Sequence, residues 1–185
     1  MTMPSSPDPL MLDVPDPSLV VLVGAAGSGK STFAARHFAP DEVLSSDAFR
    51  ALISGDAANQ AATKPAFAAL HRAVVARRRS RRLTVIDATN VQPHARRSLV
   101  ARAAEAGVPC VAIVLDLPPD VVLSQNAARP GAAAVPEPAV RAQLEALAAT
   151  VAGDPAIAWS GFAAVHRLRT PADVEAVVVR RVALD

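Results

Sequence analysis

Two kinds of stretch alternate along this chain. Residues 18–23 form an almost unbroken apolar run that ends at Gly24, the pattern of a strand buried on both faces of a parallel sheet. Residues 111–115 repeat it, and shorter runs at 42–46, 83–86 and 163–168 read as further strands. Between them, apolar positions at helical spacing predict helices over 30–38, 65–82 (through Phe67, Leu70 and Val74), 93–106, 119–129, 138–151 and 171–182. Gly107 stands where a helix C-cap is needed, and 130–136 is a Pro/Gly/Ala loop. Strands alternating with helices predict an α/β fold: right-handed crossovers build a parallel sheet with helices on both faces. Ligands of such sheets bind beyond the carboxyl ends of the strands, where Gly24, Ser46, Asp47 and Asp87 fall.

Residues 1–17 carry five Pro and three Asp with little periodicity and read as a disordered leader, leaving 18–185 as a single domain. At 185 residues and 51% hydrophobic, one core suffices. No apolar run is long enough to span a bilayer, and the first basic residue, Lys30, follows three acidic ones, the reverse of a signal peptide. A cytoplasmic protein without membrane attachment is expected. Cys110 is alone, which excludes an internal disulfide, and His37, His71, His94 and His166 are scattered singly, which argues against a Cys/His metal cluster. The net charge is only +2, but 17 of the 19 basic residues are Arg. Codon bias accounts for that skew; it leaves unexplained why one of the two lysines sits at position 30.

Gly24-Ala25-Ala26-Gly27-Ser28-Gly29-Lys30-Ser31 fits G-x-x-x-x-G-K-[ST], between a predicted strand and a predicted helix as the motif requires. Its glycines permit backbone angles that turn successive N–H groups inward around phosphate oxygens, and the following helix N-terminus adds partial positive charge. Ala25, Ala26, Ser28 and Thr32 complete the expected cradle, Lys30 would reach the β- and γ-phosphates, and the Ser31 hydroxyl would ligate Mg²⁺. Binding of a nucleoside triphosphate is the strongest expectation. Asp47, beyond the strand at 42–46, suits either acceptance of a proton from an attacking hydroxyl or capping of a helix over 48–53. Asp87 closes the strand at 83–86, where an acidic residue binds Mg²⁺ directly or through water. Thr89 and Asn90 follow, able to hydrogen-bond phosphate or orient Asp87, or else to form a turn in which Asn90 caps the next helix.

These blocks in order, GAAGSGKSTF at 24–33, EVLSSDAFR at 42–50, VIDATNVQPHAR at 85–96, LDLP at 115–118 and NAARP at 126–130, resemble the 5′-kinase module of bacterial polynucleotide kinase-phosphatase. The resemblance implies a P-loop NTPase fold with a small lid, about 126–141, and transfer of the γ-phosphate of ATP to a 5′-hydroxyl of DNA or RNA with Mg²⁺. It makes Asp47 the general base, Arg50 a contact to the acceptor's phosphate, Lys30 and Ser31 nucleotide and metal ligands, Asp87 the acidic partner, and Arg129 a lid arginine that stabilises the transferring phosphoryl group. The lid departs from the family's R-N-x-x-R-x-x-R, since Gln125-Asn126-Ala127-Ala128-Arg129-Pro130-Gly131-Ala132 keeps only the middle arginine. Arg141 is a candidate substitute. That departure keeps two alternatives open: a small-molecule hydroxyl as acceptor, and an ATP-binding regulatory module with little turnover.

Arg72, Arg77, Arg78, Arg79, Arg81 and Arg82 form the densest basic run. It reads either as a solvated helix end or as a surface that tracks nucleic-acid phosphates. Trp159, in the Gly/Pro-rich connection 153–161, fits either closure of the nucleotide site or cover for an apolar edge.

Overall fold

The computed structural model describes residues 10–56, 61, 63–77 and 82–184. Five parallel strands form the central sheet: β2 (Leu19–Val23), β3 (Val43–Ser45), β4 (Thr84–Asp87), β5 (Cys110–Leu115) and β6 (Ala164–Leu168), in spatial order β3-β4-β2-β5-β6. Every residue of β2, β4 and β5 is buried, which is what their continuous apolar runs require. The order puts β2 between β4 and β5; the connection from β2 runs toward β3 on one side and that from β5 toward β6 on the other, which opens a crevice at their carboxyl ends.

Helix α1 (Lys30–His37) follows β2, and α2 (Ser46–Ser54) and α3 (Thr63–Arg77) follow β3. Helix α4 (Pro93–Ala106) runs as its spacing predicts and ends on Gly107 in the left-handed conformation, φ 65°. Helices α5 (Pro119–Ala127) and α6 (Glu137–Ala152) flank a loop with a 3₁₀ turn at Gly131–Ala133. The short α7 (Pro155–Ala158), not anticipated from the sequence, precedes β6. One face of the sheet packs under α3, α4 and α6 through Leu70, Leu99, Ala103 and Leu147; the other covers Phe33, Ala34 and Phe38 of α1. Cys110 is buried in this core, where desolvation pushes its thiol up to about 12.

The expected leader is corrected over its second half. Met11–Asp16 is a strand, β1, paired in parallel with β7 (Val178–Ala183), and Leu12 and Val14 are buried against Phe33, Phe38 and Val177. Leu12 and Val14 alternate with exposed Met11 and Asp13, a period-two pattern that the surrounding prolines and aspartates disguise. The last helix is corrected too. Helix α8 spans only Pro171–Ala176, held by a Thr170–Asp173 capping box, and the β-branched run Val177–Val179 continues as strand. The expected leader over residues 1–9 lies outside the described residues.

Ion pairs fasten this outer ribbon, among them Arg181 to Asp16 at 3.5 Å. Arg180 donates to both oxygens of Asp13, at 2.6 and 2.7 Å, and Arg181 does the same to Glu42, at 2.8 and 2.7 Å. Glu42 is nearly buried and also accepts from the Ala39 amide; the Arg181 guanidinium holds its carboxyl below the ordinary 4.5. A carboxyl lowered in the folded state adds stability above its unfolded value that is lost as pH falls through the folded one. Glu42→Gln is expected to destabilise by about 1 to 2 kcal/mol at neutral pH. The deficit should shrink below pH 4.5, as read from urea unfolding of both proteins across pH 3 to 7.

Trp159 covers an apolar edge: it meets Phe162 edge-on at 6.0 Å and lies under the Arg96 guanidinium, 4.9 Å from its ring centroid. Arg96 is 2% exposed and donates to the carbonyls of Asn90 and Val91 and to the Thr150 hydroxyl, which locks α4 to α6. No helix among the described residues is long and apolar enough to cross a membrane.

Candidate active site

The phosphate loop leaves β2 at Gly24 and enters α1 at Lys30, with Gly27 and Gly29 at φ 88° and 87°. These left-handed angles are open to glycine at no steric cost. At Gly27 space is also exhausted, since a Cβ there would lie 2.5 Å from the Val122 carbonyl oxygen and 2.8 Å from the Cβ of Asn126. At Gly29 a Cβ would meet nothing within 4 Å. The loop therefore presses against α5 at one glycine and faces open space at the other.

Lys30 is buried, and its Nζ donates to the Ala25 carbonyl at 2.8 Å and to Ser28 Oγ at 3.5 Å. Burial pulls its ammonium down to about 8; nearby Asp87 opposes that shift and Arg129 adds to it. Ser31 and Thr32 are exposed on the first turn of α1. Asp87 is buried at the end of β4.

The segment after Asp87 is welded to the loop through its backbone and one amide. Gly24 donates its N–H to the Thr89 carbonyl at 2.9 Å, and Asn90, at φ 49°, donates Nδ2 to the Leu22 carbonyl at 2.8 Å. The N-cap of α4 is Gln92, not Asn90, and the Asn90 Oδ1 is buried with no hydrogen-bond partner in the described structure. The Asn90 side chain thus spends its amide fixing the exit of β2.

Asp47 lies in the first turn of α2, its side chain 54% exposed. The cap is Ser45, whose hydroxyl accepts from the Ala48 amide, so capping does not occupy Asp47. Arg50, one turn on, pairs with its carboxylate, and Ser46 donates to the same oxygen at 3.4 Å. Ser45 and Asp87 are register partners on β3 and β4, with β2 the next strand over. Two strand spacings, about 10 Å, therefore separate the ends that carry Asp47 and the phosphate loop, with Asp87 between them.

A cavity of about 540 Å³ opens on the other side of the loop, lined by Gly27, Gly29, Thr32, Arg36, Arg129 and Pro171 among others. It brings Arg129 to the loop, as expected. Asn126 ties down the loop that follows α5, donating to the Val135 carbonyl at 2.8 Å and accepting from its amide at 3.1 Å. Arg141 does not line this cavity; it is exposed on α6 and paired with Glu137 at 2.7 Å. Arg36 does line it, and sequence reasoning passed over it because a basic residue in the last turn of a helix looks like a dipole partner. Gln143 was also missed: it reaches from α6 to the Ala26 amide at 2.8 Å.

The basic run divides. Arg78, Arg79 and Arg81 lie outside the described residues. Arg77 donates to the Glu42 carbonyl at 2.9 Å and Arg82 pairs with Asp41, so these two brace the start of β3. His37 packs at a tilt against Phe33, with ring centroids 4.5 Å apart.

The family model described as "AAA domain" matches residues 19–153. A chain of the Pnkp1/Rnl/Hen1 RNA repair complex is 27% identical at TM-score 0.61, over 73% of this chain and 45% of that one. A gluconokinase from Sinorhizobium meliloti 1021 is 19% identical at TM-score 0.52, over 84% of each chain, and a sugar kinase from Janibacter sp. HTCC2649 is 21% identical at 0.57, over 83% and 85%. No curated protein matches. The present chain spans under half the length of its RNA-repair neighbour, while the gluconokinase and the sugar kinase match it over 83 to 85% of each chain. Since the family match takes in the phosphate loop, Asp47, Asp87 and Arg129 in one stretch, this chain belongs to the AAA domain family and has its P-loop kinase-like fold.

Proposed function

We propose that this protein is an ATP-dependent polynucleotide 5′-hydroxyl kinase. The observation that carries the reading is the Asp47–Arg50 pair: a carboxylate exposed to solvent, held by a guanidinium one turn on, at the strand end beyond Asp87. An exposed base suits an acceptor too large to be enclosed, and a guanidinium beside it suits an acceptor that carries a phosphate. The 27% identity to a chain of an RNA repair complex supports the same acceptor class.

In this reading the triphosphate lies on the loop amides, and its base enters the slot between Leu117, Pro171 and Val174. Ser31 and Asp87 offer a hydroxyl and a carboxylate, the hard oxygen donors that Mg²⁺ takes, so the residues present fit that ion. When bound, it would neutralise charge on the β- and γ-phosphates. Asp47 accepts the proton of the acceptor 5′-hydroxyl, whose oxygen attacks the γ-phosphorus in line as the bond to the β-phosphate oxygen breaks and ADP leaves. Lys30 and Arg129 hold the equatorial oxygens. A cytoplasmic setting, where ATP is supplied, accords with this activity.

The test is transfer of labelled γ-phosphate to 5′-hydroxyl oligonucleotides. Asp47→Ala is expected to lower kcat by 10² to 10⁴, of the order general-base removal costs, with ATP affinity unchanged. No transfer above that variant would reject the polynucleotide reading. Transfer to sugars or nucleosides instead would point to a small acceptor, and tight ATP binding without any product would point to a regulatory module.

A further inference from the structure

The peptide joining Ala25 to Ala26 is held from both ends. Its carbonyl accepts from Lys30 Nζ at 2.8 Å and its N–H donates to Gln143 Oε1 at 2.8 Å. Because C=O and N–H of a trans peptide point in opposite directions, Lys30 and Gln143 grip this unit from opposite sides. The chain Lys30 ammonium, peptide, Gln143 amide is aligned so that each bond polarises the next.

The surroundings explain why Gln143 can do this. Val140 and Leu147 are buried three residues before it and four after it on α6, and Leu144 packs beside it, so Gln143 is a polar residue on an apolar face. Such a group is costly to bury unless it is hydrogen-bonded, and the bond it makes is to the phosphate loop. Ala25 and Ala26 are themselves buried against Val122 and Val140, so the second and third residues of the loop belong to the packed layer of α5 and α6. The Ala26 amide is already taken, and the Ser28 amide donates to the Ala25 carbonyl at 3.1 Å beside Lys30, which leaves phosphate binding to Gly27 and to the amides from Gly29 onward. Lys30 by contrast has to leave the Ala25 carbonyl in order to reach a phosphate oxygen.

We infer that Gln143 is a positioning residue: it holds the Ala25–Ala26 peptide so that the loop keeps its cradle while Lys30 moves from the Ala25 carbonyl to the polyphosphate. The inference rests on the reading that this loop takes a nucleotide. It also gives α6 a part in the site, fixing the phosphate loop from the far side of the Ala25–Ala26 peptide.

The experiment is calorimetric titration of the full chain with ADP, with adenosine followed by competition, and thermal unfolding of each variant. Gln143→Met keeps the length of the side chain and removes the acceptor. It should raise the Kd for ADP about tenfold, the effect of one well-placed hydrogen bond, and leave adenosine unchanged. Gln143→Glu keeps an acceptor and should recover most of the ADP affinity. Leu144→Ala, which loosens the same cluster, should lower the unfolding temperature without a loss specific to phosphate. Wild-type affinity in Gln143→Met, failure of Gln143→Glu to recover it, or an equal loss for adenosine and ADP would each overturn the inference while nucleotide binding stands. A wild-type chain that binds neither ligand overturns the nucleotide reading and this inference with it.

Discussion

Lys30→Met is expected to reduce phosphate transfer by a factor on the order of 10³ and at the same time to raise the thermal midpoint of the ligand-free protein. Both effects have one cause. The ammonium is buried, and desolvation has pulled it from 10.5 down to about 8, so at neutral pH the folded chain keeps a charge it is poorly placed to solvate. By linkage, a cation lowered by that much costs about 3 kcal/mol in its charged form. A methionine of similar length removes that cost and forfeits hydrogen bonds only to the Ala25 carbonyl and, at 3.5 Å, to Ser28 Oγ. A buried charge without an ion-pair partner is costly to keep, and an apolar side chain of the same length does not carry that cost. A triphosphate reverses the balance because it supplies the missing solvation, and the variant has nothing to offer it. Scanning calorimetry with and without ADP, beside the transfer assay, reads both arms. A variant that is less stable than wild type without ligand would contradict this account of Lys30.

Gly27→Ala is expected to be the most damaging single methyl in the molecule. Its Cβ would fall 2.5 Å from the Val122 carbonyl oxygen and 2.9 Å from the Asn126 nitrogen, both backbone atoms of α5, at a φ of 88° that an L residue rarely adopts. A helix has to move, and α5 carries with it the loop that holds Arg129. A loss of about 3 kcal/mol or more and no measurable nucleotide binding are expected, since strain and overpacking add. Gly29→Ala has nearly the same φ of 87° but no neighbour within 4 Å, so it should cost only the backbone strain, about 1 to 2 kcal/mol. Urea unfolding of the pair separates the two causes. Equal losses would mean that the contact with α5 is immaterial.

The fold was legible wherever one element is buried on its own account. The runs at 18–23 and 111–115 need no context to be read as central strands, and Gly107 and the prolines bound α4 and α5 correctly. The misreadings share a physical origin. β1 and β7 are two edge strands that exist only because they pair with one another across 167 positions of sequence, and neither Leu12 nor Val177 advertises a partner that distant. Local propensity favoured a helix through 171–182, and a capping box did begin one, but pairing with β1 took over after Ala176. Within the site, Asp87 and Arg129 both act on the Lys30 charge, and Arg129 lines the cavity beside the loop. For Asn90 the sequence leaves a phosphate, Asp87 or a helix cap open as partners, and the structure gives its amide to the Leu22 carbonyl and the cap to Gln92. Gln143 was overlooked, although a lone amide in the apolar stripe of α6 is itself a visible signal.

The sequence by itself determined the chemistry that depends on spacing. Three glycines, a lysine and a serine within eight residues dictate a phosphate cradle between strand and helix, because those backbone angles and that helix N-terminus follow from local covalent geometry. Only the tertiary structure decided what differs among residues the motif treats alike. It made Gly27 a contact with α5 and Gly29 an open position, released Asp47 from capping by giving that task to Ser45, and set Gln143 opposite Lys30 on one peptide. Those distinctions arise from close packing between segments far apart in sequence, and packing density in a protein interior leaves no freedom for them to be otherwise.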